Sequence, residues 1–123
     1  MLRVIEVAFT GYPVTDMPRA RSFYEGTLGL ESSRAFEHEG KSWVEYDIGP
    51  ATLAISDMEP QWKPATDGPS VALEVEDFDA SIQWLKEKGV LFMLEPFASP
   101  ICRMAIIADP EGNALTIHKR NPA

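Results

Sequence analysis

The sequence has one cysteine, Cys102, only two histidines, and 11 basic residues against 19 acidic ones. A lone cysteine forms no internal disulfide, so nothing in the chain calls for an oxidising compartment. The shortage of Lys and Arg leaves a formal net charge of -8. That charge repels phosphate backbones and offers no basic stripe for counterion release, so nucleic acid is not an expected partner. No apolar run approaches the roughly 18 residues that span a bilayer, and the N-terminus shows no cleavable signal pattern. No membrane partner is therefore expected, and the cytoplasm is the expected location. The composition of the 123 residues, 45% hydrophobic and 24% charged, is that of one ordinary globular domain. A chain of this length buries roughly two thirds of its unfolded surface without a metal or disulfide staple.

What the chain does have is a duplication. Residues 4–30 lie over residues 65–91 at a constant offset of 61. In the first copy an expected strand from Val4 to Val14 leads through Thr15 to Asp16 and then to a helical run from Met17 to Tyr24. In the second, Ser70 to Val75 leads through Glu76 to Asp77 and a helical run from Phe78 to Leu85. Asp16 matches Asp77 and Phe23 matches Trp84. Each aspartate stands where its carboxylate accepts the orphan N–H groups of a helix start and faces the positive end of the dipole. The helices stop at Gly26 to Gly29 and at Gly89, with a slip of one residue between the copies.

Behind each helix come three more expected strands: Ser33–Phe36, Ser42–Ile48 and Ala51–Ile55, then Leu91–Glu95, Arg103–Ile107 and Ala114–His118. Between the halves, Asp57 to Pro69 carries Pro60, Pro64, Gly68 and Pro69 without apolar periodicity and reads as a linker. The order is strand, helix and three strands, twice over: an α+β fold of two βαβββ modules. The expected organisation is a single domain over residues 1–123, with module one at about 1–57, a linker at about 58–69 and module two at about 70–123.

The run Val14-Thr15-Asp16, Phe23-Tyr24 and Leu28-Gly29-Leu30, followed near the C-terminus by Asp109-Pro110-Glu111-Gly112-Asn113, resembles the glyoxalase, bleomycin-resistance and extradiol-dioxygenase group, the vicinal oxygen chelate superfamily. The likeness covers nearly the whole chain. It implies that the two modules curl into a cupped, incomplete barrel holding a small-molecule site, and that chains pair as a homodimer. It does not imply one chemistry, because this fold hosts lyases, dioxygenases, epimerases, transferases and drug-binding proteins. Metal-using members place His, Glu or Gln ligands at four equivalent strand positions. In this sequence those positions fall on Phe9, Ala54, Ser70 and Thr116. None supplies imidazole or carboxylate, so no metal and no cofactor is expected.

Strand alternation assigns faces. Val71, Leu73 and Val75 form an apolar row suited to packing under a helix, which turns Ser70, Ala72 and Glu74 to the other face. By the repeat, Thr10, Tyr12 and Val14 lie under the first helix, and Val7, Phe9, Gly11 and Pro13 turn toward the cavity. Ala20, Phe23, Tyr24 and Thr27, and likewise Ala80, Trp84 and Leu85, recur at helical spacing and read as core. In Trp43-Val44-Glu45-Tyr46-Asp47-Ile48 the alternation puts Trp43, Glu45 and Asp47 on one face. Two carboxylates in a half-dry cavity can share a raised pKa and act as acid and base, or anchor a cation beside the indole.

His118 shares the face of Thr116 and is a candidate general base, while His38, in Glu37-His38-Glu39-Gly40, reads as a surface turn. Arg103 is a candidate clamp for an anionic group, Cys102 reads as inert and partly buried, and Asp109-Pro110-Glu111-Gly112 reads as a tight turn. The expected ligand-binding set is thus Phe9, Trp43, Glu45, Asp47, Ser70, Glu74, Arg103, Thr116 and His118, with Glu45, Asp47 and His118 as candidate catalytic groups. The leading expectation is a metal-free protein that binds a small molecule. The alternatives are a lyase- or dioxygenase-type enzyme with an atypical metal site or metal-free acid–base groups, and an interaction module with a residual cavity.

Overall fold

The computed structural model describes residues 1–122. In chain order the elements are β1 (Thr10–Pro13), α1 (Met17–Arg21, continued by a π-helical turn at Ser22–Thr27), β2 (Ser32–His38), β3 (Lys41–Ile48), β4 (Ala51–Ser56), β5 (Val71–Glu74), α2 (Phe78–Glu87), β6 (Phe92–Ala98), β7 (Cys102–Ala108) and β8 (Ala114–Arg120). They fall into two compact units, one from Met1 to Pro64 and one from Ala65 onward. Each is a βαβββ module with an open four-stranded sheet, in the orders β1-β4-β3-β2 and β5-β8-β7-β6. In both, the first strand runs parallel to the fourth and the remaining pairs are antiparallel.

The duplication is visible in the ladders. Gly11 faces Ala54 across β1 and β4, and Ala72 faces Thr116 across β5 and β8. Asp16 and Asp77 cap their helices alike, each side chain accepting from the backbone N–H three residues on, Arg19 and Ala80 respectively, at 3.0 Å. The one-residue slip also has a structural outlet. The first copy carries one more residue between cap and stop glycine, and α1 absorbs it by widening into the π turn, where Leu28 N–H bonds the Phe23 carbonyl five residues back.

In the first unit Tyr24, Val44, Tyr46, Leu53 and Ile55 are fully buried; in the second Phe78, Leu85, Ala105, Ile107, Leu115 and Ile117 fill the same role. Each set joins the helix to one face of its own sheet.

Two expectations are corrected. The first strand covers Thr10–Pro13, not Val4–Val14. Its parallel partner β4 begins at Ala51, so little backbone is available to pair with residues before Thr10, and Leu2, Val4, Ile5 and Val7 are exposed. Ala80 is exposed, and Trp84 is also not core. It is 43% exposed on the flank of α2, where Lys88 Nζ sits 4.5 Å from its ring centroid, while Phe78 and Leu85 make the buried stripe.

Candidate functional site

On β3 the alternation sorts side chains as expected. Tyr46 stacks on Tyr24 with centroids 6.0 Å apart and planes 18° apart, and its hydroxyl donates to Glu25 Oε2 at 2.8 Å, so Val44 and Tyr46 face α1. Trp43, Glu45 and Asp47 therefore occupy the opposite face of the first sheet.

That face carries a connected cluster. The register aligns Gly11, Ala54, Glu45 and Arg34 in one row across the four strands. Arg34 spans both carboxylates, its Nε donating to Glu45 Oε1 at 2.6 Å and its Nη2 to Asp47 Oδ1 at 2.7 Å. Trp43 Nε1 donates to the second oxygen of Glu45 at 2.8 Å, and Thr52 Oγ1 donates to Asp47 Oδ1 at 3.0 Å. Phe9 meets Trp43 edge to face, with centroids 5.1 Å apart and planes at 89°. Trp62, from the linker, closes on the same spot: a Cβ at Gly11 would lie 2.8 Å from Trp62 Cη2 and 3.3 Å from Phe9 Cε1. Gly11 is thus required by the close approach of an indole to the strand.

The electrostatics reverse the expected pKa pattern. The Trp43 N–H and then Arg34 hold the Glu45 carboxyl below its usual range, and Arg34 followed by Thr52 does the same for Asp47. Both stay ionised at neutral pH. A raised carboxyl for acid–base work is what two unpaired carboxylates in a dry cavity would give, and Arg34 removes that condition.

Sequence reasoning missed Arg34, Thr52 and Trp62. Arg34 had a signal: Glu39 (φ 53) and Gly40 (φ 77) form a two-residue hairpin loop with positive φ at both positions, pairing His38 with Lys41. Counting back from a two-residue loop puts Arg34 opposite Glu45.

In the second unit, Ser70 Oγ and Thr116 Oγ1 are hydrogen-bonded at 2.6 Å. Glu74 lies beside His118 in the ladder. Its Oε1 is 2.5 Å from His118 Nδ1, and its Oε2 accepts the Arg120 backbone N–H at 2.7 Å. Those contacts, the Arg120 N–H first and His118 next, hold the Glu74 carboxyl below its usual range.

Arg103 does not share this face. Its ladder partner is Lys119, out of phase with His118 and Thr116. The guanidinium lies 4.5 Å from the Phe78 ring centroid and pairs with Asp79 on α2. An open groove of approximately 400 Å³ beside it, lined by Phe78, Ile82, Phe97 and Arg103 among others, is likewise on the helix side. Alternation could not place Arg103, because both faces of β7 are apolar in sequence.

His38 is exposed, as expected of a turn residue. Cys102 is buried beside Ser99. Asp109 is a buried turn acceptor for the N–H groups of Glu111 and Asn113.

The positions that the family resemblance implies as metal ligands are Phe9, Ala54, Ser70 and Thr116. Phe9 and Ala54 offer no donor atom, and the hydroxyls of Ser70 and Thr116 are neutral and bonded to each other. This set does not fit a divalent ion held by imidazole and carboxylate. Among the described residues no three His, Cys, Asp or Glu side chains are grouped so as to hold a metal ion. No helix among them is long and apolar enough to cross a membrane.

Paired βαβββ modules define an architecture shared by a known group of proteins. The family profile described as Glyoxalase/Bleomycin resistance protein/Dioxygenase superfamily matches residues 6–117, and the chain belongs to that superfamily. Among solved structures it is similar to TnmS3, an antibiotic binding protein from Streptomyces sp. CB03234, with a TM-score of 0.81 at 24% identity, covering 98% of this chain and 100% of that one. It is also similar to a glyoxalase/bleomycin resistance protein from the same Streptomyces strain (TM-score 0.76, 26% identity, covering 93% and 100%). A superfamily member from Sphaerobacter thermophilus DSM 20745 gives a TM-score of 0.71 at 25% identity, covering 96% and 99%. Among curated proteins none matches.

Proposed function

We propose that this chain is a metal-free binding protein that captures a small, aromatic molecule on the Trp43 face of its first module. The observation that carries the reading is the cluster itself. Phe9, Trp43 and Trp62 supply apolar ring surface, and Arg34, Glu45 and Asp47 form a fixed polar border whose bonds are already made. Ring surface with a few placed polar groups is the usual make-up of a small-molecule site. The replacement of ligand-type residues by Phe9, Ala54, Ser70 and Thr116 supports the metal-free part. The similarity to an antibiotic binding protein points the same way.

The test has two parts. Elemental analysis of protein purified without chelator should find no stoichiometric Zn, Ni, Mn or Fe. A thermal-shift screen of small aromatics should find compounds that raise Tm, because a ligand held only by the native state stabilises it. Tightly held metal, or no aromatic hit, sinks the proposal.

A second reading, an enzyme of the same superfamily using metal-free acid–base chemistry, is favoured by one observation. Glu74 orients the His118 ring through Nδ1 at 2.5 Å, which leaves Nε2 as the proton-handling atom of a side chain 20% exposed. Loss of turnover in His118→Gln, on whatever substrate the screen yields, would support it, whereas binding without any product would retire it. Pairing of two chains is proposed from Phe36, Leu94, Phe97 and Ile101, which are large, apolar and 59%, 43%, 44% and 75% exposed in the isolated chain. Analytical ultracentrifugation should then give a dimer mass.

A further inference from the structure

We infer that Arg34 sets the charge selectivity of the first-module face, admitting uncharged planar aromatics and turning away cationic ones. This rests on the proposed binding role of that face. Two carboxylates beside an indole and a phenyl ring would, left alone, attract a cationic ring system through charge and cation–π contact. They are not left alone. Both oxygens of Glu45 are engaged, one by Arg34 and one by Trp43, and Asp47 Oδ1 accepts from Arg34 and Thr52. A cationic ligand that pairs with these three oxygens must displace the guanidinium or the indole N–H, and displacing the guanidinium exchanges one ion pair for another.

An uncharged ring displaces nothing. It has the ring surface of Phe9, Trp43 and Trp62 to meet and leaves the Arg34 pairs in place. Arg34 comes from β2, whose residues are all exposed, and its side chain is 58% exposed. Its truncation therefore leaves no cavity, and the variant is expected to fold.

The test uses two rings of the same shape, acridine, uncharged in mildly alkaline buffer, and N-methylacridinium, permanently positive. Each is titrated against the full chain with Trp fluorescence as readout. The wild type should bind acridine more tightly. Arg34→Ala should improve N-methylacridinium binding by about fivefold, the scale of an exposed charge pair, and change acridine binding little. Added salt should erase that gain, and so should combining Arg34→Ala with Glu45→Gln and Asp47→Asn. Arg34→Lys, which keeps the charge, should hold the wild-type ratio within about twofold. A wild type that prefers N-methylacridinium overturns the inference, and so does an acridine-binding wild type whose ratio is unmoved in Arg34→Ala. If neither ring binds the wild type, the reading of the face as a ligand site fails and takes the selectivity with it.

Discussion

The hydroxyl of Tyr46 donates to Oε2 of Glu25 at 2.8 Å, the same oxygen that receives Arg21 Nε at 2.6 Å. This buried-end bond fastens the π turn of α1 to the middle of β3. Burial first, and then the neighbouring carboxylate, push the Tyr46 phenol well above its ordinary value. The Arg21 hydrogen bond holds Glu25 below its own. Tyr46→Phe should cost about 1–2 kcal/mol by urea denaturation at neutral pH. A phenol raised on folding stabilises the native state below its unfolded pKa of about 10 and loses that contribution as pH rises further. For the depressed Glu25 the sign is opposite: its contribution is full above its unfolded pKa and fades as pH falls. The gap between wild type and Tyr46→Phe should thus be widest between these limits, and a gap independent of pH would contradict the assignment.

Acid titration should report on the Arg34 cluster. Because Glu45 is held below its ordinary value by the Trp43 N–H and Arg34, the stability these bonds contribute is present above the unfolded carboxyl pKa and lost as pH falls through the lower folded value. In a Trp62→Phe, Trp84→Phe background the emission of Trp43 should change with a midpoint below 4.5, the ordinary value for Glu45. Arg34→Ala should move that midpoint upward. A midpoint that stays put would mean that the indole, not the guanidinium, sets it alone.

Gly11→Ala probes the contact between strand and linker. The new methyl would meet Trp62 Cη2 at 2.8 Å, closer than Cβ atoms tolerate, and the ring end is the part able to give. Trp62 should swing out, with its emission red-shifted and more accessible to acrylamide. Stability should fall by about 1–3 kcal/mol if the strand must shift as well. Unchanged quenching in a variant whose only tryptophan is Trp62 would show that the indole does not rest on Gly11.

Asp109 is 4% exposed, and its carboxylate accepts from Glu111 N, Asn113 N and Asn113 Nδ2 at 2.8 to 2.9 Å. Asp109→Ala leaves those donors without their acceptor and should cost about 2–4 kcal/mol, seen as a lower urea midpoint at unchanged m. A loss under about 0.5 kcal/mol, the range of ordinary surface substitutions, would rule out a structural role for the turn.

Much of this was legible in the chain. Asp16 and Asp77, 61 apart, marked both helix starts, and the alternation from Trp43 to Ile48 placed Glu45 opposite the helix, because cap chemistry and strand pleat act over a few residues. The extent of β1 and the exposure of Trp84 were not legible, since each depends on what a distant segment supplies: paired backbone along β4 in one case, room on the buried stripe of α2 in the other. The ionisation of Glu45 and Asp47 was misread for the same reason, because their controlling cation enters from another strand.

Local order came from the sequence alone: two copies of one strand-helix-strand plan, their caps and stops, and the residue types at the four expected ligand positions. These depend on neighbours within a turn of helix or a few strand residues. Tertiary structure alone decided that Trp62 would reach back to Gly11 and that Arg103 would turn toward α2, and it closed Arg34 onto both Glu45 and Asp47 where the hairpin count gives only its place opposite Glu45. Each of those outcomes depends on cross-strand register or on a loop folding over a sheet. Charge and ring contacts act through space, so segments far apart in the chain must first be brought together before they can set one another's chemistry.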